Sequence, residues 1–378
     1  MKVTHVIGSC SPGGAELFTK SLLKELKRAG LDVDLWVMTR VRHIDPQNKR
    51  RIDFENQFVE ELSDYKINTF FIGKRPKKDW RRTRTSLRDA YEREPSGVIH
   101  SHLESVSFHV CLAFWNKPVP LVQTVHSTKI SHPFVGRFFM KRCFSRYVAI
   151  SKKVSDIIQK TLRVEEEKVR VILNGVDLSL FRNDHTKIIA EQVTKFIAIG
   201  SLTEAKDYPN LLDAFSILKG MLDSRNMAVP ELKIVGDGEL KPQIEKKIHD
   251  LGLNYHIQLL GLRKDIPQLL ADSDIYVMAS EWEGLSISLI EALAAGMPIV
   301  VTDAGSNDEI IRNEESGIMV PCKNPRALAE AIFRVMNEKK TREAFSMNAR
   351  IRAESFSIQR CAEKHIETYK ELLGKNRL

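Results

Sequence analysis

A chain of 378 residues is longer than one ordinary hydrophobic core accommodates, so two domains are expected. With 43% hydrophobic and 28% charged residues it has the balance of a soluble globular protein; its five scattered cysteines, none in a Cys-x-x-Cys pair, exclude a disulfide framework or a zinc site and point to a reducing cytoplasm. The net charge of +9 is lopsided: residues 1–185 hold 33 Lys and Arg against 21 Asp and Glu, and the remainder 25 against 28.

Taken in chain order, Met1 to Ser11 lacks the charged leader, apolar stretch and small-residue cleavage site of a signal peptide, and no later run approaches the roughly 18 apolar residues of a membrane span. Val3–Ile7, Val33–Val37, Thr69–Ile72, Val98–His100, Leu121–Val125, Tyr147–Ile150 and Val169–Leu173 read as buried strands. Helix-length segments separate them, such as Ala15–Arg28 with Leu17, Leu22, Leu23 and Leu26 at helical spacing. Asn174-Gly175-Val176-Asp177 and the polar stretch to Thr194 form a boundary. The series restarts with strands at Phe196–Ile199, Leu232–Val235, Ile257–Leu260, Ile275–Met278 and Pro298–Val301. Helices fall at Leu211–Leu222, Leu240–Leu251, Pro267–Ala271 and Ile287–Ala295. This alternation predicts an α/β protein of two parallel-sheet domains, residues 1–175 and 176–357, with the last helix, 358–378, packing back on the first. Ligands of such sheets bind at the carboxyl ends of strands, and with two domains the cleft between them is the expected site.

The unusual residues lie in the loops after strands. Gly8-Ser-Cys-Ser-Pro-Gly13-Gly14-Ala15-Glu16 joins the first strand to the first helix, where paired glycines and a helix amino end suit a phosphate as well as a plain tight turn. It fits neither the P-loop nor the dinucleotide fingerprint. His126 follows an apolar strand and points either into a cleft or into the core. In Gly200-Ser201-Leu-Thr-Glu-Ala-Lys206-Asp-Tyr-Pro209, Pro209 opens a helix just after Lys206, so cation and helix dipole could act together on a diphosphate, if Lys206 is not simply a surface residue. The strongest signal is Glu283-Gly284-Leu285-Ser286 leading into a helix that carries Glu291. Ser286 can cap that helix, and the two carboxylates, about two turns apart, suit the two ends of a nucleotide sugar, Glu291 on ribose and Glu283 on the sugar. Glu291 has apolar neighbours and wants a polar partner.

Lys74, Arg75, Lys77, Lys78, Arg81, Arg82, Arg84 and Arg88 form the densest basic run, either a solvated helix face or a surface for anionic lipid, where each cation contributes about 1 kcal/mol. A nucleic-acid-binding module is a competing reading of the basic half, but no aromatic platforms or zinc ligands accompany the charge, and no nucleic-acid partner is expected.

In parts and in their order, the sequence resembles the retaining GT-B glycosyltransferases of group 1, family 4. Gly13-Gly14 with Glu16, His126, Ala149-Ile150-Ser151, Asn174-Gly175-Val176-Asp177, Gly200 to Lys206, Val235-Gly236-Asp237-Gly238, Gly261-Leu262-Arg263 and the Glu283, seven residues, Glu291 signature fall where that family has its motifs. The resemblance implies two Rossmann-like domains, an acceptor-side amino-terminal one and a nucleotide-sugar-binding carboxyl-terminal one. It implies transfer of a hexose or N-acetylhexosamine from a UDP-sugar, favoured over GDP on family frequency, to a saccharide or lipid-linked saccharide, with retention. No metal and no cofactor are expected. Lys206, His126 and Glu283 would serve the reaction. Gly13, Gly14, Ser201, Gly236, Leu262, Arg263, Gly284, Leu285, Ser286 and Glu291 would join Lys206 and Glu283 around the donor. The family usually has Arg where this chain has Ser201, which leaves Lys206 to carry the diphosphate unless Arg263 reaches in. The setting would be the synthesis of a cell-surface polysaccharide, in the cytoplasm or on the inner membrane face. A sugar-nucleotide epimerase or a phosphorylase of the same architecture is the alternative.

Overall fold

The computed structural model describes residues 1–75, 79–181 and 189–375. It divides into two compact units, Met1–Gly175 with Ile358–Leu378, and Val176–Ser357.

The first unit is built on seven parallel strands: β1 (Lys2–Ile7), β2 (Asp32–Val37), β3 (Asn68–Phe71), β4 (Val98–His102), β5 (Leu121–Val125), β6 (Arg146–Ala149) and β7 (Val169–Val171), in the order β3-β2-β1-β4-β5-β6-β7. β4, β5 and β6 are buried at every residue, as strands covered by helices on both faces must be. The helix Gly14–Arg28 follows β1 and buries Phe18, Leu22, Leu23 and Leu26. The last helix, Ile358–Lys375, packs against it. Its buried stripe, Ile358, Cys361, Ala362, His365, Tyr369 and Leu372, recurs every three or four residues.

The second unit carries β8 (Lys195–Ile199), β9 (Glu231–Val235), β10 (Ile257–Gly261), β11 (Ile275–Met278), β12 (Ile299–Thr302) and β13 (Ile318–Val320), parallel and ordered β10-β9-β8-β11-β12-β13. The helices Tyr208–Asp223 and Pro325–Asn337 lie against each other, and Leu211, Phe215, Leu218, Leu328, Ile332 and Val335 close its core.

The strands foreseen from the sequence are all present, with ends moved by up to two residues. β13 was not foreseen: three residues long and paired only with β12, it is too short to display a period. Both sheets reverse their winding beside their first strand, between β1 and β4 and between β8 and β11. The loops that leave the sheet at these switch points are where an open α/β sheet holds its ligand.

Candidate functional site

In the second unit four loops converge through glycines. The backbone of Gly236 has φ +142°, and a Cβ there would lie 1.9 Å from the Gly200 carbonyl oxygen. A Cβ at Gly238 would meet the Leu202 oxygen at 2.4 Å, and one at Gly305, with φ +54°, the Glu283 oxygen at 2.0 Å. Only residues without a side chain let the loops after β8, β9, β11 and β12 approach this closely. Hydrogen bonds fix the arrangement: Tyr208 Oη donates to the Gly200 oxygen at 3.0 Å, and the Glu281 amide to the Ala205 oxygen at 2.9 Å.

Lys206 ends the short turn Glu204–Lys206, its stem crossing Gly200. Its Nζ is ion-paired with Glu283 Oε1, which also accepts from Ser280 Oγ at 2.8 Å. Asp207, in the left-handed region at φ 42°, caps the helix Tyr208–Asp223 by accepting from the Asn210 amide. Ser286 caps the helix Ile287–Ala294 through the Leu289 amide. Ser288 Oγ, in the first turn, donates to the Ile199 oxygen at 2.9 Å and so ties the helix to the end of β8. Glu291 is half-buried on that helix. Among the described residues its carboxylate has no hydrogen-bond or ion-pair partner, and burial pushes its pKa up to about 7. Leu285 is buried, Leu262 and Gly284 are half-buried, and Ser201 is exposed. Arg263, looked to as a second cation, is exposed and forked onto Asp265 (Nε to Oδ1 2.8 Å).

The expectation of a metal-free site took the chain to lack an Asp-x-Asp triplet, and this is corrected by the sequence itself, which has two, Asp32-Val33-Asp34 and Asp272-Ser273-Asp274. Asp34 is ion-paired with Lys2 at 2.8 Å, and Asp274 accepts the amides of Thr194 and Lys195 at 2.8 and 2.9 Å. Asp34, within β2, and Asp274, just before β11, thus both have structural duties.

In the first unit the glycine loop leads into the helix Gly14–Arg28, and the Glu16 side chain folds back over Gly13: a Cβ on Gly13 would lie 2.3 Å from Glu16 Oε2. Burial raises the Glu16 pKa to about 7, which weakens its repulsion of an anion near this loop at neutral pH. His126 leaves β5 beside a small, partly open pocket of about 70 Å³ lined also by Glu104, Gln123, Lys129 and Gly136. Among the described residues Gln123 Oε1 finds no hydrogen-bond partner, although it is buried there. Glu104 accepts the amides of Ser131 and His132, both at 2.8 Å, and holds the loop that follows His126.

Behind His126 stands a chain that sequence reasoning missed. His126 Nε2 meets His102 Nδ1 at 3.0 Å, His102 Nε2 meets His5 Nδ1 at 3.0 Å, and His5 Nε2 meets Tyr369 Oη at 3.3 Å. Tyr369 Oη meets His100 Nδ1 at 2.6 Å, and His100 Nε2 meets Thr124 Oγ1 at 2.7 Å. His365 packs on the His100 ring. Burial lowers the pKa of every one of these histidines, His5 and His126 to about 3 and His365 to about 4, so all are neutral. The triplet His100-Ser101-His102, polar side chains in a strand that is buried at every residue, is the trace of this cluster in the sequence. Lys77 and Lys78 of the basic run lie outside the described residues. Of its remainder, Arg81, Arg82 and Arg84 are exposed on the helix Trp80–Arg93, while Arg88 donates to the Ala113 oxygen at 2.6 Å.

Comparison with known proteins bears on this geometry. Residues 182–352 match the family described as "Glycosyl transferases group 1", and residues 12–180 the one described as "Glycosyltransferase Family 4". The chain is 28% identical over 274 residues to the UDP-Gal:alpha-D-GlcNAc-diphosphoundecaprenol alpha-1,3-galactosyltransferase of Escherichia coli, spanning 67% of this chain and 70% of that protein. It is 27% identical over 222 residues, 58% of each chain, to the N-acetylgalactosamine-N,N'-diacetylbacillosaminyl-diphospho-undecaprenol 4-alpha-N-acetylgalactosaminyltransferase of Campylobacter jejuni. Anabaena Alr3699/HepE in complex with UDP-glucose superposes with a TM-score of 0.83 at 20% identity over 98% of this chain and all of that one, which bears on fold alone. With two parallel-sheet Rossmann-like units and family matches from residue 12 to residue 352, the chain belongs to the group 1 glycosyltransferases of GT-B fold.

Proposed function

We propose that this glycosyltransferase moves a hexose or N-acetylhexosamine from a UDP-sugar to a saccharide or lipid-linked saccharide, with retention of anomeric configuration and without a metal ion, in building a cell-surface polysaccharide. The observation that carries the reading is the set Lys206, Glu283, Ser286 and Glu291 around one glycine-lined junction. A cation and a capped helix amino end stand ready for a diphosphate, and two carboxylates stand ready for hydroxyls. The unpartnered Glu291 suits the ribose hydroxyls, which supply the donors that the protein does not. On donor binding, Lys206 turns to the diphosphate and Glu283 to the sugar hydroxyls, so that their resting ion pair keeps both side chains in place until then.

Lys206 and the helix amides neutralise charge as it develops on the leaving UDP, an electrostatic contribution that needs no reorganisation at the moment of reaction. The acceptor hydroxyl attacks from the face the diphosphate leaves, and a phosphate oxygen takes its proton. His126 and the Gly13-Gly14 amides, in the first unit, act in positioning. The two curated relatives above are named for diphosphoundecaprenol-linked acceptors, which supports a lipid-linked acceptor here and, with it, action in the cytoplasm against the inner membrane face.

The test is a thermal-shift panel of UDP, GDP, ADP and their sugar conjugates on the wild type and on Glu291→Ala. A ligand at a hundred times its Kd adds about 2.7 kcal/mol, a readable rise in Tm. Stabilisation by UDP compounds, lost in the variant, is expected. Stabilisation by none rejects the donor assignment. Stabilisation without transfer, but with sugar inversion or phosphorolysis, selects the epimerase or phosphorylase reading.

A further inference from the structure

The segment after the His126 loop presents an unpartnered aromatic face. Pro133–Val135, the wide turn Gly136–Met140 and Lys141–Cys143 run on as one irregular helical stretch. Phe134 is 78% and Phe138 57% exposed, and their rings stack at 5.5 Å. Beside them Trp115, 43% exposed, stacks on Phe139 at 4.7 Å with the rings nearly parallel. With Phe108, Leu112 and Val135 these phenylalanines line an open, wholly apolar groove of about 410 Å³. Exposed rings gathered in one place mark an interaction surface, whereas scattered ones do not.

Charge selects the partner. From residue 105 to residue 155 the chain has eight Lys and Arg and no Asp or Glu; Lys117, Lys141 and Arg146 are ion-paired with Glu92, Glu165 and Glu371 from outside the segment, and Arg137 and Arg142 are the cations beside the exposed rings in sequence. Arg137 lies over the Phe138 ring at 5.2 Å. The basic run joins the same region from the other side: Arg88 grips the carbonyl of Ala113, next to the end of the helix that carries Phe108 and Leu112, and Lys74 lies within electrostatic reach of His109. Apposing two copies of this face would set like charges against each other, which disfavours a self-interface. Rings that partition to the membrane–water boundary, among cations that attract lipid phosphates, fit an anionic bilayer.

We infer that the face formed by Phe134, Phe138, Phe139 and Trp115 seats the first unit on an anionic lipid bilayer, with Arg137 and Arg142 against the headgroups. The choice of a bilayer over an acidic protein rests on the lipid-linked acceptor proposed above. The rings and the charge pattern stand independently of it.

Co-sedimentation with phosphatidylcholine vesicles, with and without roughly a third phosphatidylglycerol, tests the inference at low and high salt. The wild type is expected on the anionic vesicles at low salt, with partial release at high salt. Phe134→Ser with Phe138→Ser should lower the partition constant roughly tenfold or more, because the rings supply the apolar part of the binding. Arg137→Glu with Arg142→Glu should abolish the preference for anionic lipid. Both double variants should stay within a few degrees of the wild-type Tm, since Phe134, Phe138 and Arg142 are exposed and Arg137 is half-buried against the Phe138 ring. A wild type that ignores anionic vesicles, or a Phe134/Phe138 variant that binds as the wild type does, overturns the inference. So does a wild-type dimer that the Phe variant turns into a monomer, which would make this face an interface between copies. Turnover of the UDP-sugar with a soluble acceptor separates the two readings: vesicle binding without turnover rejects only the transfer chemistry, and turnover without vesicle binding rejects only the surface.

Discussion

His102 Nδ1 lies 3.0 Å from His126 Nε2, and this contact ties the histidine at the pocket to five buried polar residues behind it. His5, His100, His102 and His126 are neutral with one N–H each, so with Tyr369 placing its single proton within the series the hydrogen bonds all run the same way. If Tyr369 donates to His5, the series ends with a proton on His126 Nδ1. If His126 donates inward, the series ends at the Thr124 oxygen and Nδ1 keeps a lone pair. Each direction satisfies every group, and Tyr369 is the link through which both pass.

Tyr369→Phe therefore breaks the series between His100 and His5. It should cost about 1–3 kcal/mol for the buried nitrogens left unpaired. It should also shift the tautomer balance of His126, read from its ring ¹⁵N resonances. A variant that loses stability while the His126 resonances stay where they were would show a packing role and no coupling.

Lys206 and Glu283 give a second expectation. Their side chains are 17% and 11% exposed, so removing the cation takes the ion-pair partner from a largely buried carboxylate that still accepts from Ser280 Oγ. Lys206→Ala should lower turnover by roughly tenfold or more and stability by about 1–3 kcal/mol. Adding Glu283→Gln should recover part of the stability and none of the turnover. A double-mutant cycle in thermal unfolding measures the coupling, and additive losses would remove the pair from the account.

The glycine-lined junction predicts a contrast between two similar substitutions. Gly236→Ala puts a methyl group 1.9 Å from the Gly200 oxygen at a backbone angle that favours glycine, and should lower the Tm by several degrees through backbone displacement. Gly220→Ala, in the helix Tyr208–Asp223 with open space around it, should raise stability by about 0.5–1 kcal/mol. Equal effects in differential scanning calorimetry would mean that the loops are not held by this contact.

Stability should depend on pH in a direction set by the histidine chain. Unfolded, these histidines take up protons below about 6.5; folded, His5 and His126 do so only near 3 and His365 near 4. The unfolded state then binds more protons, and stability falls as pH drops from about 6.5. Glu16 and Glu291 act in the opposite sense, because their raised folded values favour the protonated native state between about 4.5 and 7. Five histidines outweigh two carboxylates, so the urea midpoint should be lower at pH 5 than at pH 7.5. Glu16→Gln should stabilise at pH 8 by up to about 3 kcal/mol and do nothing at pH 4. A midpoint unchanged between pH 5 and 7.5 would contradict the buried neutral cluster.

Two parallel sheets, the domain order, and the loops holding Lys206, Glu283, Ser286 and Glu291 were legible in the sequence. Each rests on local chemistry: a buried strand must be an apolar run, a helix must begin at a cap, and a close approach of backbones requires glycine. Only the tertiary structure decided which side chains meet. Nothing local says that Lys206 pairs with Glu283 or that Arg263 turns to its neighbour Asp265. The histidine chain is the clearest case. His5 and Tyr369 are 364 residues apart, and they touch because β1 and β4 are adjacent in the sheet and the last helix returns to cover them. The aromatic face was illegible for the same reason: a phenylalanine in sequence reads as core, and only its missing neighbours reveal it as surface.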